Sequence, residues 1–458
     1  MTESADWHHE VVPKVADETD LIIGAFADAQ PPGRRVINVV TRGGGIDFAY
    51  AAGEILVREA YLGQVLQILE GRTRDDVEQN EPGRIQRVIE GVVLLRLSGE
   101  RFTQVLDALD EIDRQLSPGI ATPNQVLTVA GGEGQGCSAT EPQQVYYEIE
   151  PFPSVCHDGG GGGVLVYMAD TGLLKDAATH PWLAHGVDVE NPLTDVDPLD
   201  PGSPPVIPPC AGHGTFGAGV LRCVAPEAQI IMTRALLYGG SQVESDLVPV
   251  LESALSLGAD IYHLTMACLS RKDLPLIGFE VWLRHLRRHQ GAICIAPAGN
   301  CGFDRPEWPG AFPGVIAVGA LGGDWRGRAT FSNFGPWVDV YAPGRDLVNA
   351  FATGTYTCYV YPYAGDIRKF YGMAKWSGTS FSTPIVTGSI AARMSRTGET
   401  AHQAAAVLLA EAQRQAIPGV GPVLLPCCGH RRPPAYHREC GCGNPERGCR
   451  DRECGCPG

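Results

Sequence analysis

Apolar and polar positions divide the chain into regions of different period. The first 45 residues or so mix polar pieces with Pro and Gly, broken by apolar runs at Leu21 to Phe26 and Val36 to Val40. They carry no recognisable chemistry, and residues 1–47 are left unassigned. From Glu54 the pattern sharpens. EILV at Glu54 to Val57 reads as a strand, and Ala60, Leu62, Val65, Leu66 and Leu69 fall near one helical stripe. After a polar gap, RVIE and VVLLRL between Arg84 and Leu97 read as two strands. Phe102, Val105, Leu106, Leu109, Ile112 and Leu116 recur at helical spacing, and Gln125 to Val129 closes as a strand. The order β-α-β-β-α-β predicts a small α+β ferredoxin-like domain over 48–130, with two helices on one face of its sheet.

Residues 131–163 are expected to be a Gly-rich linker, from GGEGQG at Gly131 to Gly136 and five glycines at Gly159 to Gly163. Beyond it, apolar runs at Val164 to Met168, Ile230 to Ala235, Ile261 to Thr265, Ala292 to Ala296 and Val315 to Val318 read as buried strands. Asp246 to Leu257 and Leu276 to His289 read as helices between some of them. This is the pattern of an α/β domain with a mostly parallel central sheet, assigned to 164–418. The remainder, 419–458, is Cys-, Gly-, Arg- and Pro-rich with few apolar residues, and is expected to be a disordered tail.

Composition narrows the function classes. Of 458 residues, 44% are hydrophobic and 19% charged, a globular balance. The formal net charge of −16 disfavours a nucleic-acid partner. The first ten residues lack a basic or apolar leader, and no apolar run approaches the roughly 18 to 20 residues of a membrane span. A cytoplasmic protein without a membrane partner is therefore expected. Of the 15 cysteines, eight are scattered from Cys137 to Cys358 and seven crowd between Cys427 and Cys456. Most of the first eight are read as reduced core residues. The tail repeats RECGC, but C-x-C pairs are a poor zinc signature. No metal site and no cofactor are expected, and no dedicated calcium motif is present.

Four stretches carry chemistry through their joint order. An apolar strand ends in Asp170-Thr171-Gly172, at the carboxyl edge where open α/β sheets gather their sites, although a strand-end Asp also serves as a cap or turn former. GHGTFGAG at Gly212 to Gly219 sets His213 at the start of a small-residue helix, where a lone histidine can equally be structural. APAGNCG at Ala296 to Gly302 ends a strand at Asn300, whose amide offers two donors. SGTSFSTP at Ser377 to Pro384 opens a buried helix at Ser380, with a proline in its first turn.

These motifs, over Val164 to Met394, resemble the subtilisin family of serine proteases, in which DTG, HGT, a strand ending Gly-Asn, and GTSxSxP occur in this order. The resemblance implies a three-layer subtilisin-like fold and a serine endopeptidase. Ser380 would be the nucleophile, His213 the general base, Asp170 the residue orienting the imidazole, and Asn300 the side-chain donor of the oxyanion hole. An α/β-hydrolase would run Ser, acid, His, and a chymotrypsin-like protease His, Asp, Ser. Sedolisins replace the histidine by glutamate and the oxyanion Asn by Asp. The rival reading is an inactive or zymogen-locked pseudoprotease that binds peptides.

By the same resemblance Thr265, Met266 and Ala267 would form an edge that pairs with an extended protein or peptide substrate, faced by Ala298 and Gly299. Ala267 stands where the family has glycine, and with Pro297 opposite it the pocket is expected to favour small side chains. The family's propeptides share the ferredoxin-like topology, so the N-terminal domain is a candidate intramolecular inhibitor. The Pro-rich acidic stretch Asn191 to Cys210 reads as a solvated insertion or as a rim for basic substrates, and Trp182 and Leu183 before it as core anchors. A base that must be neutral predicts activity falling below about pH 6 to 7.

Overall fold

The computed structural model describes residues 14–29, 35–42, 45–99, 103–129, 139–145, 150–237, 239–289, 291–360 and 363–426. The Cys-rich stretch after Pro426 and the GGEGQG stretch lie outside them. The region left unassigned from sequence contributes helix α1 (Lys14–Ala27) and strand β1 (Ile37–Arg42), which pairs antiparallel with the long β2 (Gly45–Arg58). There follow α2 (Leu62–Glu70), α3 (Arg74–Asn80), β3 (Ile85–Ile89), β4 (Val92–Arg96), α4 (Val105–Gln115) and β5 (Ala121–Val129). The polar gap is thus a helix, started by a capping box between Thr73 and Asp76.

Strands run β5-β2-β4-β3, every neighbour antiparallel, which is the ferredoxin-like order. Alternate residues explain the apolar run of β4. Val93 and Leu95 join Ile55, Val57 and the inner faces of α2 and α4 in one core. Val92 and Leu94 join Leu56, Leu127 and Val129 in the core of the following α/β region. Both faces of this sheet are therefore covered, the helices on one and the rest of the chain on the other.

After β6 (Gln143–Gln144), the chain enters β7 (Leu165–Asp170) through the five glycines, and these are not a flexible tether. Gly161 has φ +91°, its N–H donates to Ser395 Oγ at 2.7 Å, and a Cβ there would stand 2.7 Å from the Ala228 nitrogen. Only glycine lets the backbone pass so close. β8 (Val187–Val189), α5 (His213–Val224), β9 (Gln229–Arg234), β10 (Ser241–Val243), α6 (Glu244–Ala254), β11 (Ile261–Leu264), β12 (Met266–Ala267), α7 (Ile277–Leu286), β13 (Ile293–Pro297), β14 (Val315–Leu321) and β15 (Val340–Pro343) follow in turn. Seven of these strands make a parallel sheet in the order β15-β14-β13-β11-β7-β9-β8. With helices on both sides it is the expected three-layer α/β fold.

A hairpin, β16 (Leu347–Thr357) with β17 (Ile367–Trp376), leads into α8 (Thr379–Thr397) and α9 (Ala401–Arg414). Residues 419–426 do not belong to a loose tail: Tyr341 donates its N–H to Pro422 O and accepts from Leu424 N–H, and Val423 is buried. Cys223, Cys268, Cys294 and Cys358 are free thiols, as expected of most cysteines in this part of the chain, whereas Cys156 and Cys210 are disulfide-bonded.

Candidate active site

The chain crosses the carboxyl edge of the parallel sheet at Asp170, where β7 ends. Gly212, with φ +84°, turns the chain into α5 so that His213 is the first helical residue. Gly214 has no side chain because the carbonyl of Gly172 and the Asp170 carboxylate occupy that space, so the two motifs interlock through their glycines. Asp170 and His213 are fully buried, and His213 Nδ1 lies 2.8 Å from Asp170 Oδ1 and 3.0 Å from Oδ2. Asp170 Oδ1 also accepts from Thr171 N–H at 2.6 Å. This carboxylate selects the tautomer with the proton on Nδ1 and leaves Nε2 with its lone pair.

Ser380 is the second residue of α8, and its carbonyl has no N–H four residues on because Pro384 stands there. The proline thus falls in the second turn of the helix, one turn later than expected. Phe381 next to Ser380 places its ring 4.9 Å from the His213 imidazole, and Trp376 flanks the same imidazole at 5.5 Å. His213 Nε2 and Ser380 Oγ are both buried without a hydrogen-bond partner. Asn300 Oδ1 accepts from Thr379 N–H at 2.8 Å and Thr379 Oγ1 at 3.0 Å. That fixes the amide, with its oxygen on α8 and its nitrogen on the opposite side.

Four sequence motifs distant along the chain therefore meet at one sheet edge. The sequence model of the subtilase family matches residues 161–443. The chain belongs to the subtilase family. Among curated relatives it is 31% identical over 244 residues to a thermophilic serine proteinase of Bacillus sp. (strain AK1), across 50% of this chain and 51% of that protein. It is 30% identical over 256 residues to an intracellular serine protease of Paenibacillus polymyxa, across 53% of this chain and 70% of that protein. Among solved structures, fervidolysin from Fervidobacterium pennivorans, a keratinolytic enzyme related to subtilisin, superposes with a TM-score of 0.54 at 18% identity, covering 84% of this chain and 61% of that chain. It supports the fold alone. Subtilase membership and the two curated serine proteases place the chain among serine-type endopeptidases by family.

The residues expected at the substrate edge of this subtilase are distributed unequally. Met266 and Ala267 form β12, while Thr265 turns its hydroxyl to the carbonyl of Ala169 at 2.9 Å and is a packing residue. Ala298 and Gly299 follow β13; Ala298 O accepts from Asn333 Nδ2 at 2.9 Å, and Gly299 N–H donates to Thr379 Oγ1 at 3.2 Å. Two features of the site carry no sequence signal. Ser241–Val243 is a second edge, hidden because it is three residues long and mostly polar. Glu307 lays its carboxylate where a Cβ on Gly299 would stand, and burial pushes that carboxyl up to about 7.

Both edges are already occupied. β5 lies between them, with Val126, Leu127 and Thr128 paired antiparallel to β10 and Thr128 and Val129 paired to β12. Val129 N–H donates to Gly240 O at 2.8 Å. Ion pairs surround the strand: Arg58 with Glu280 at 2.6 Å, Arg35 with Asp246 at 2.9 Å, Arg305 with Asp47 at 2.6 Å and Arg271 with Asp113 at 2.9 Å. Among the described residues no group of three or more His, Cys, Asp or Glu is placed to hold a metal ion, and no helix is long and apolar enough to cross a membrane.

Proposed function

We propose that the chain cuts peptide bonds with Ser380 as nucleophile, His213 as base, Asp170 as its orienting carboxylate and Asn300 as an oxyanion donor. The observation that carries this reading is the buried Asp170–His213 hydrogen bond, with His213 Nε2 and Ser380 Oγ left unpartnered on the two elements that face each other. Ser380 Oγ attacks the carbonyl carbon as its proton passes to Nε2, and the carbonyl π electrons move onto oxygen. The Ser380 N–H and the Asn300 amide nitrogen then receive that oxyanion. Collapse expels the amine, which takes the proton from His213. Water repeats the sequence on the acyl-enzyme and restores Ser380.

An extended substrate would lie between β10 and β12 with Ala298 and Gly299 walling the residue before the scissile bond. β5 occupies that position, so the N-terminal module is proposed to be an intramolecular inhibitor, released by cutting just beyond Val129. Disulfide-bonded Cys156 and Cys210 favour an oxidising compartment over the cytoplasm.

The test is fluorophosphonate labelling of the full chain and of Ser380→Ala, with intact mass of each. Labelling lost in the variant, and a wild-type chain shortened by its first 130 to 163 residues, are the expected results. An intact wild-type chain that takes no label, even after limited proteolysis of its N-terminal module, would overturn the assignment.

A further inference from the structure

The acidic stretch between Asp170 and His213 is not a solvated insertion along its whole length. Asp197 within it is 5% exposed. Its Oδ2 accepts two hydrogen bonds, from Thr171 Oγ1 at 2.8 Å and from Gly212 N–H at 2.7 Å. Thr171 is the residue after Asp170, and Gly212 is the residue before His213. Thr171 Oγ1 in turn accepts from Gly214 N–H at 3.1 Å, on the other side of His213. Asp197 is itself fixed, since its N–H donates to Leu173 O at 2.9 Å and Leu173 N–H donates to Asp195 O at 3.0 Å.

We infer that Asp197 is a positioning residue that ties the end of β7 to the start of α5 and so holds Asp170 and His213 in register. The inference rests on the triad reading above. Asp170 and His213 come from separate elements, and their own hydrogen bond joins them only at the tips of their side chains. Main-chain ties run from Thr171 Oγ1 directly to Gly214 N–H and, through Asp197, to Gly212 N–H, and α5 has no side-chain cap of its own at Gly212. A carboxylate there supplies the acceptor and sits at the positive end of the helix. The charged and titratable groups around Asp197 are Asp170, His213 and Arg234, with Asp20 and Asp28 of α1 across a cavity of about 360 Å³. Burial outweighs the two donors and Arg234, and pushes its carboxyl up to about 7. Its charge therefore varies around neutral pH.

The test compares Asp197→Ala, Asp197→Asn and Thr171→Val in the full chain. A misplaced base costs up to roughly 10²-fold in turnover. Asp197→Ala is expected to lower kcat at least tenfold with KM within threefold of the parent. Asparagine keeps an acceptor oxygen and should recover most of that loss, while removal of the negative charge moves the acid limb of kcat/KM, and the His213 ring titration followed by NMR, to lower pH. Thr171→Val, which keeps shape and deletes the hydroxyl, should fall between the two and decides the matter if the alanine variant does not fold. Parent-like kcat and parent-like His213 titration in Asp197→Asn and Thr171→Val would overturn the inference while leaving the peptidase reading intact. A His213 titration that shifts in a chain with no turnover, even after limited proteolysis of its N-terminal module, would uphold the tie and remove the peptidase reading.

Discussion

Replacing Arg271 by alanine should loosen the N-terminal module without unfolding the chain. The Arg271 and Asp113 side chains are each 6% exposed and pair at 2.9 Å. Breaking a buried pair by removing one partner costs roughly 3–5 kcal/mol. Two features reduce that. Lys272 Nζ remains 2.9 Å from Asp113, and Arg271 Nη1 and Asp113 Oδ1 have no partner even in the parent. Lys272 is half exposed, so the pair it keeps is worth only about 0–1 kcal/mol. A net weakening of about 2 kcal/mol follows, close to 30-fold in the docking equilibrium. The assay is hydrogen exchange by mass spectrometry in a Ser380→Ala background, which cannot cut itself, read on the peptide containing Val129. That amide is bonded to Gly240 across the boundary and exchanges only when the strand leaves. Its exchange should accelerate about 30-fold, while peptides from β13 and β14 keep their parental rates. Acceleration below threefold would refute the assigned role of the pair, and equal acceleration in β13 and β14 would mean global destabilisation instead of undocking.

Other consequences are equally direct. Asp170→Asn should lower kcat by about 10⁴ through the wrong imidazole tautomer, measured on a peptide anilide. Asn300→Ala should cost on the order of 10²–10³ in kcat with little change in KM, the size of effect known for such a donor in a related subtilisin. Glu244, buried with one oxygen on Gly278 N–H, has its carboxyl pushed up to about 8 by desolvation. Its folded state binds the proton more tightly than the unfolded state, so its contribution is full below about pH 4.5 and falls as pH rises toward 8. Glu244→Gln should therefore flatten the loss of Tm between pH 5 and pH 8 in a Ser380→Ala background; an unchanged slope would contradict the burial argument. Glu307→Ala should open the space beside Gly299 and raise kcat/KM for a large aromatic residue before the scissile bond at least tenfold relative to alanine, in a peptide-library profile.

Much of this was legible because the chemistry sits on short motifs at strand ends and helix starts, where glycines mark close crossings. Asp170, His213, Asn300 and Ser380 announced themselves through local residue patterns, and five of the seven strands of the parallel sheet did so through continuous apolar runs. The hairpin of β16 and β17 was invisible since its mixed polar pattern follows neither period cleanly, and β8 and β10 are three residues each. Asp197 was missed for a different reason: it lies 16 positions before His213 in a Pro-rich stretch, and only folding brings it to Thr171 and Gly212. The five glycines misled, because composition alone reads as flexibility whereas Gly161 is used for contact.

The two short edges β10 and β12 explain why one groove could serve both an inhibitor and a substrate. Neither edge can stand alone, at three and two residues, and each offers main-chain groups that any extended segment satisfies. Pairing of this kind recognises backbone and is nearly blind to side chains, so β5 cannot outcompete substrates by its strand alone. Its advantage lies outside the groove, in Arg271, Arg58, Arg35 and Arg305 with their acidic partners, and in the high effective concentration of a segment on the same chain. Cutting after β5 would remove the second advantage and leave the ion pairs to set how long the freed module stays. In the proposed function, latency and substrate preference are then carried by different residues: changes at Asp113 or Glu280 should alter the release of the module while leaving the cleavage profile as it was, and changes at Glu307 should do the reverse.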